Sequence, residues 1–137
     1  MRSALILLAV LPLAACGVGD TCEDSVASRI ASPDGKHDAV LFNRDCGAAT
    51  GASTQISILP AGAKPEGKGN VFIADGEHGA APASWGGPWA AMRWTAPDRL
   101  EITFDRIAGV YLQEMRTRRG VKIDWRTASP PPGATTP

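Results

Sequence analysis

Short apolar segments separated by turn-forming residues run through most of this 137-residue sequence. The segments STQISIL (residues 53–59) and VKIDWR (residues 121–126) alternate apolar and polar side chains with the period of two that half-buried strands show. Turn sequences such as SPDG and APDR contain Pro, Asp and Gly, whose backbone preferences favour tight turns. Beyond the N-terminal segment, no stretch sustains apolar residues at the i, i+3, i+4, i+7 spacing of an amphipathic helix. The chain is therefore predicted to be all-β.

Eight segments match a strand pattern, at residues 25–32, 37–43, 53–59, 70–75, 89–95, 100–104, 109–117 and 121–126. Seven to eight strands joined by frequent turns predict a small antiparallel meander that closes into a sandwich or an open barrel. The continuous apolar run AVLF (residues 39–42) predicts a strand that is buried on both faces. The chain has room for one domain, which we place at residues 25–127.

Two segments lack strand character. Residues 60–69, PAGAKPEGKG, are rich in Gly and Pro and predict a long exposed loop. Residues 128–137, ASPPPGATTP, contain no large apolar side chain, so a disordered Pro-rich tail is predicted.

The N-terminus predicts export. One positive charge at Arg2 precedes residues 4–15, ALILLAVLPLAA, which carry no polar side chain. This run is shorter than the ~20 apolar residues that a transmembrane helix needs. A charged start, a short apolar run and small residues at its end are typical of a secretory signal peptide, here residues 1–15. A buried core helix is the alternative, but the run is not amphipathic.

Leu13, Ala14, Ala15 and Cys16 resemble the bacterial lipobox. The resemblance implies that the Cys16 thiol receives a diacylglyceryl group and that cleavage leaves Cys16 as the first residue, often with an acylated amine. Two or three acyl chains, including palmitate, anchor a protein stably, so residues 16–24 are expected to be a short membrane tether. By the same resemblance, Gly17 favours the outer membrane, with the domain facing the periplasm. An ordinary cleaved signal with an incidental cysteine is the alternative.

If Cys16 carries lipid, Cys22 and Cys46 remain. A cysteine pair in an oxidising compartment usually forms a disulfide, and we predict one here. A two-cysteine metal site completed by His37 or His78 is the alternative. Structural zinc sites favour closely spaced pairs such as C-x2-C, which the sequence lacks. We therefore expect no metal and no cofactor.

Charge gives little support for nucleic-acid binding. The chain has 14 basic and 14 acidic residues, and removal of Arg2 with the signal leaves 13 against 14. The one basic cluster, formed by Arg116, Arg118 and Arg119, lies beside Gly120 and predicts the tip of a hairpin. No nucleic-acid partner is expected.

Part of the sequence is similar to a family of small bacterial exported proteins and lipoproteins without assigned function. That family's pattern is S-P-D-G, a strand, D-C-G-A-T-T-G, one large residue, S-T-Q and an alternating strand, followed later by a tryptophan strand, a Pro-Asp turn and L-x-I. The matching residues are Ser32, Pro33, Asp34, Gly35, Asp45, Cys46, Gly47, Ala48, Thr50, Gly51, Ser53, Thr54, Gln55, Trp94, Asp98, Leu100 and Ile102. Ala49 and Ala52 depart from the pattern. The resemblance implies kinship and no activity.

No catalytic constellation is evident, and we predict that the protein is not an enzyme. A nucleophile needs a positioned base, yet His37 and His78 are the only histidines and no G-x-S-x-G is present. Asp75, Glu77 and His78 offer oxygen and imidazole donors for a cation. A solvated turn flanked by glycines explains the same residues without a ligand.

Trp85 and Trp89 flank Gly-Gly-Pro in a predicted loop that runs from Gly76 to Trp89. Their rings could stack on a sugar or contact a partner protein, or they could fold back over an open end of the sheet. The sequence thus predicts a non-catalytic, lipid-anchored cell-envelope protein with a binding or structural role. Its partners would be the membrane, through acyl chains on Cys16, and an envelope protein or glycan. The alternatives are a periplasmic inhibitor or immunity-type protein that uses the 76–89 loop, and a glycan-binding module.

Overall fold

The computed structural model describes residues 22–47 and 51–136, which form eight strands in two sheets. The strands are β1 (Glu23–Ala31), β2 (His37–Asp45), β3 (Ser53–Pro60), β4 (Phe72–Asp75), β5 (Ala90–Ala96), β6 (Arg99–Asp105), β7 (Gly109–Gln113) and β8 (Lys122–Ala128). The all-β prediction is confirmed. The signal peptide, the lipid-attachment residue Cys16 and the tether up to residue 21 lie outside the described residues. In the described part of the chain, no helix is long and apolar enough to cross a membrane.

The first sheet has the order β1-β2-β3-β4-β7, and every neighbouring pair in it is antiparallel. The second sheet has the order β5-β6-β8. Its β5–β6 pair is antiparallel, but β6 and β8 run parallel, which the predicted meander did not include. After β6 the chain crosses to the first sheet to add β7. It then returns, so β8 enters the second sheet in the same direction as β6.

One apolar core lies between the sheets and draws on both of them. The alternation of the sequence explains its composition, because every second residue of β3 and β6 points inward. Ile56 and Ile58 come from the first sheet, and Leu100 and Ile102 from the second; all four are buried. Phe72, Phe104 and Trp125 form an aromatic cluster in the core, with ring centroids 5.0 to 6.0 Å apart.

The opposite face of the first sheet is buried as well, as the apolar run in β2 predicted. Val40 and Phe42 point away from the main core, yet both are fully inaccessible to solvent. Amides of the 61–70 loop donate hydrogen bonds to Asp38 and to the Gln55 side-chain carbonyl on this face, at 2.8 and 2.7 Å. The segment at residues 60–69 is a mostly exposed loop, as predicted, and these hydrogen bonds hold it across the sheet.

The predicted disulfide is present and joins Cys22 to Cys46. These residues lie one position beyond the outermost pair of β1 and β2, Glu23 and Asp45, so the bond staples the two strands where the pairing begins. A bond across 24 residues of sequence should contribute about 3.5 kcal/mol by restricting the unfolded chain. We call this end of the first sheet the disulfide end, and the opposite end the arginine end.

The C-terminal segment, for which the sequence predicts a disordered tail, makes backbone hydrogen bonds within residues 128–136 and to the Pro82 carbonyl. The Pro-rich stretch turns back on itself, with the Ala134 amide donating to the Pro131 carbonyl at 3.0 Å. The Thr136 amide then donates to the Pro82 carbonyl at 2.7 Å. Backbone hydrogen bonds therefore hold this segment, which has no apolar side chain large enough to pack.

Candidate functional site

The two histidines lie at opposite ends of the first sheet. His37 pairs with Pro60 at the arginine end, and His78 follows Asp75, which pairs with Ser53 at the disulfide end. Seven residue steps of β3 separate these ends, or ~23 Å at the usual rise per residue. The histidines therefore cannot share one pocket.

Asp75 and Glu77 form an acidic corner at the disulfide end, beside the start of β7. The Tyr111 hydroxyl lies against both carboxylates, and its hydrogen bond with Glu77, followed by that with Asp75, raises the pKa of the phenol. A Cβ at Gly109 would lie 2.8 Å from Asp75 Oδ1, so glycine lets the carboxylate approach the strand. Among the described residues, no three His, Cys, Asp or Glu side chains converge as a metal site.

Trp85 covers the core. Its ring packs against the apolar cluster, and its indole N–H donates to Thr54 Oγ1 at 2.8 Å. Thr54, which is fully buried, donates in turn to the Pro88 carbonyl at 2.5 Å. A Cβ at Gly87 would lie 2.5 Å from Thr54 Oγ1, so only glycine fits where the loop meets β3. The structure thus matches the alternative in which this tryptophan folds back over the sheet.

Trp89 is half-buried and directly precedes β5. Its backbone carbonyl accepts a hydrogen bond from the Asp105 amide at 3.0 Å, which fixes the loop end against β6. Of the two predicted contact residues, Trp89 is therefore the one whose side chain has no hydrogen bond within the described structure.

A groove of about 590 Å³ lies at the arginine end. Its lining residues are Ile58, Asn70, Glu114, Arg116, Thr117, Arg118 and Arg119. The predicted hairpin tip is confirmed, since the Gly120 amide donates to the Thr117 carbonyl at 3.0 Å and Gly120 has a φ of 87°. Within the described residues, the Arg118 and Arg119 guanidinium groups have neither a hydrogen bond nor an ion pair. We call this feature the arginine groove.

The strand between the acidic corner and the arginine groove is β7, and it is the last strand of the first sheet. The described residues include five large hydrophobic side chains that are strongly exposed, and four of them are on β7 or beside it. They are Ile107, Val110, Tyr111 and Met115, with 45%, 39%, 58% and 68% of their surface exposed. The β7 edge, meaning these four residues and the unpaired side of Gly109–Gln113, is therefore an apolar surface beside open backbone groups. It ends beyond Gln113, where the Met115 carbonyl accepts from the Ile123 amide of β8 at 3.0 Å.

The opposite edge of the first sheet, β1, carries features that discourage pairing. The β1 edge contains Glu23, Asp24 and Arg29 and is bent by a bulge between Val26 and Ser28. Charged side chains and bulges on edge strands protect sheets against pairing with other chains. The sequence of β7, GVYLQ, contains no charged residue. Sequence reasoning missed this site, because a short apolar strand looks the same whether it lies in a sheet or at its edge.

The outer face of the second sheet is polar and internally paired. Glu101 accepts from Arg93 at 2.7 Å and from Arg126 at 2.6 Å. The hydrogen bond from Arg126 and then that from Arg93 lower the pKa of the Glu101 carboxyl. Both guanidinium groups are held by this one carboxylate, so neither is as free as the arginines of the groove.

No protein-family model, no curated protein and no solved structure matches this chain. The assignment of function therefore depends on the sequence signals and the geometry described above.

Proposed function

We propose that this protein is a non-catalytic, lipid-anchored protein of the bacterial cell envelope that binds another polypeptide along the β7 edge. The observation that carries the proposal is the concentration of exposed apolar side chains on an uncharged edge strand. An exposed edge presents a row of unpaired N–H and C=O groups, to which an extended segment can add as a further strand. The backbone would supply affinity, and the neighbouring side chains would supply specificity.

The surroundings of β7 support a polypeptide partner. Val110 and Tyr111 lie on the strand itself, and Met115 lies two residues beyond its end. Large aromatic and methionine side chains are enriched in protein interfaces. The arginine groove lies at one end of the strand and the acidic corner at the other, so charges flank an apolar centre. This is the usual layout of an interface with an apolar core and a polar rim.

Anchoring at the membrane is supported by the lipobox at Leu13–Cys16 and by the pairing of the other two cysteines. With Cys22 and Cys46 in a disulfide, Cys16 is the one cysteine of the sequence left for lipid. The chain enters the domain at Cys22, beside the disulfide, so a tether would join a cross-linked end of the sheet. Six residue steps from Cys16 to Cys22 reach at most ~20 Å when extended. The domain would therefore lie close to the outer-membrane surface, facing the periplasm.

A binding role fits the described residues better than catalysis does. The two histidines are separated by the length of the sheet, and Arg93 and Arg126 on the second sheet are both ion-paired with Glu101. Nucleophilic catalysis needs a base within hydrogen-bond reach of the nucleophile. Neither histidine has a serine, threonine or cysteine hydrogen-bonded to its ring among the described residues.

The inhibitor and glycan-binding alternatives depend on the loop from Gly76 to Trp89. Trp85 supports them weakly, since its ring packs on the core and its N–H is bonded to Thr54. Trp89 is the other tryptophan of this loop, and a ligand of these alternatives would have to contact its side chain. The β7 edge offers more exposed apolar surface than this loop, and we therefore favour it.

The anchor is tested by the intact mass of the protein from its host's membranes, with and without reduction before thiol alkylation. The expected species begins at Cys16, carries acyl chains and has no alkylated thiol until it is reduced. A chain that retains residues 1–15 and has three alkylatable thiols would contradict the proposal.

The binding surface is tested by placing the photoreactive residue p-benzoylphenylalanine at single positions of the full chain in the same membranes. Tyr111→p-benzoylphenylalanine should form a discrete cross-linked adduct under light. Val26→p-benzoylphenylalanine is the matched control, because Val26 is similarly exposed but lies on the β1 edge. Equal labelling at both positions, or none at position 111, would refute binding at the β7 edge.

A further inference from the structure

The two ends of the β7 edge carry opposite charge. At the disulfide end, Asp75 and Glu77 form the acidic corner, and the turn that leads from β6 into β7 carries the exposed Arg106. At the arginine end, three guanidinium groups line the groove together with one carboxylate, Glu114. The strand between these ends carries no charge. The charge along the edge therefore changes from negative at the start of β7 to positive beyond its end.

We infer that the polypeptide bound along the β7 edge is the β7 strand of a second copy of this chain, paired antiparallel about a twofold axis. This inference rests on the proposed function and adds the identity of the partner. Antiparallel pairing brings the start of one strand beside the end of the other. The acidic corner of each copy is then placed at the arginine groove of its partner, so one surface patch is complementary to itself. Such isologous contacts are the commonest way in which soluble proteins form dimers.

The same twofold arrangement also brings the exposed apolar residues of the two copies together. In a pairing centred on Tyr111, Gly109 of each copy faces Gln113 of the other. Beyond the paired strands, the exposed side chain of Ile107 in the β6–β7 turn would lie toward the exposed Met115 side chain of the other copy, whose backbone carbonyl is already bonded to the Ile123 amide. These two exposed side chains would cover one another, and the two Tyr111 residues would meet at the axis. Directly opposed aromatic and aliphatic side chains stabilise antiparallel pairs.

Parallel pairing of two copies, or pairing of β7 with a strand of a different protein, fits the β7 edge less well. Parallel pairing of two copies would place the acidic corners together and the arginine grooves together, and like charges in contact oppose association. The charges of the β1 edge are less available to a partner, because Asp24 is ion-paired with Arg44 and Arg29 with Asp38 within the chain. A foreign strand would need its own apolar centre and opposite charges at its two ends, which a second copy already possesses.

The dimer would be weak in solution and favoured at the membrane. A strand of five residues offers roughly five backbone hydrogen bonds. Its contact is expected to be at the low end of interface sizes, below ~1,200 Å². Two anchored copies share one surface, and this raises their effective concentration without any new contact. The association should therefore be measured with the lipid-anchored full chain.

The test is co-purification of two differently tagged full-length copies expressed together in host membranes. The wild-type pair should be recovered. Glu77→Lys makes both ends of the edge basic, and Arg118→Glu with Arg119→Glu makes both ends acidic. When both tagged copies carry the same variant, co-purification should be at least ~5-fold lower than for the wild-type pair, because like charges then meet at both ends of the contact. Mixing the two variants restores opposite charges at both contacts, so the mixed pair should return to the wild-type level.

Two further variants separate pairing from folding. Tyr111→Lys should abolish recovery, while Val26→Lys on the β1 edge should leave it unchanged; an intact Cys22–Cys46 disulfide is required of both. Failure of the mixed pair to recover above the single variants would overturn the dimer. A photo-cross-linked adduct at position 111 that contains a different protein would overturn the dimer and leave the proposed function intact. No adduct at position 111 would remove both.

Discussion

Replacing Thr54 by valine should destabilise the domain by about 2–4 kcal/mol, although the two side chains have nearly the same shape. Thr54 Oγ1 accepts from the Trp85 indole at 2.8 Å and donates to the Pro88 carbonyl at 2.5 Å. Each lost hydrogen bond costs about 1 kcal/mol. Pro88 is buried, and an acceptor left unsatisfied in a buried site costs ~1–3 kcal/mol.

The measurement is chemical denaturation of the disulfide-bonded chain, followed by tryptophan fluorescence. In thermal unfolding of a domain of about 100 residues, a loss of this size would lower Tm by ~8 °C or more. Thr127→Val is the matched control, because Thr127 is exposed on β8 and should change the free energy of unfolding by less than ~0.5 kcal/mol. A loss below about 1 kcal/mol for Thr54→Val would refute the view that this hydroxyl holds the loop to β3.

Three further changes test other parts of the structure. Gly87→Ala should lower the free energy of unfolding by about 2–4 kcal/mol, since the new Cβ would lie 2.6 Å from the Thr54 backbone nitrogen; an unchanged denaturation midpoint would disprove that contact. Replacing both Cys22 and Cys46 by alanine should cost about 3.5 kcal/mol in the same assay, and reduction of the wild-type chain should give the same loss. Asp38→Asn should weaken the acid dependence of stability. The hydrogen bond from the 61–70 loop and then the Arg29 ion pair hold the pKa of Asp38 below its usual 3.8, so the ionised carboxylate stabilises the fold above about pH 4 and that contribution disappears as pH falls through the folded-state pKa. A variant whose unfolding free energy declines below pH 4 as steeply as that of the wild type would contradict this assignment.

The strands were predictable because their signals are local. The period-two alternation of β3 and β8 and the turn residues of SPDG are properties of neighbouring residues along the chain. The disulfide was predictable for a different reason, since assigning Cys16 to lipid leaves a single pair in an oxidising compartment. The burial of β2 on both faces followed from its continuous apolar run, which needs cover on each side.

The candidate site was not predictable, because it depends on which strands become edges. The segment GVYLQ of β7 has the composition of an interior strand, and its exposure arises only because no strand is added beyond it. For Trp85 the sequence left open a ligand contact and a fold back over the sheet, and the structure shows the second, with the ring against the core and the N–H on Thr54. The exposure of the loop at residues 60–69 was predictable from its composition, but the hydrogen bond from the Gly62 amide to the Asp38 carboxylate that holds it on the sheet was not.

By itself, the sequence determined the all-β class, the approximate position of each strand and the pairing of Cys22 with Cys46. Residues 13–16 also resemble a lipobox, and this resemblance predicts the anchor at Cys16. Only the tertiary structure decided the order of strands, the parallel β6–β8 pair and the exposure of the β7 edge between opposite charges. Local patterns fix conformation through a few adjacent dihedral angles and side chains. Edges, grooves and lids arise from contacts between residues far apart in the chain, and these exist only once the whole chain has folded.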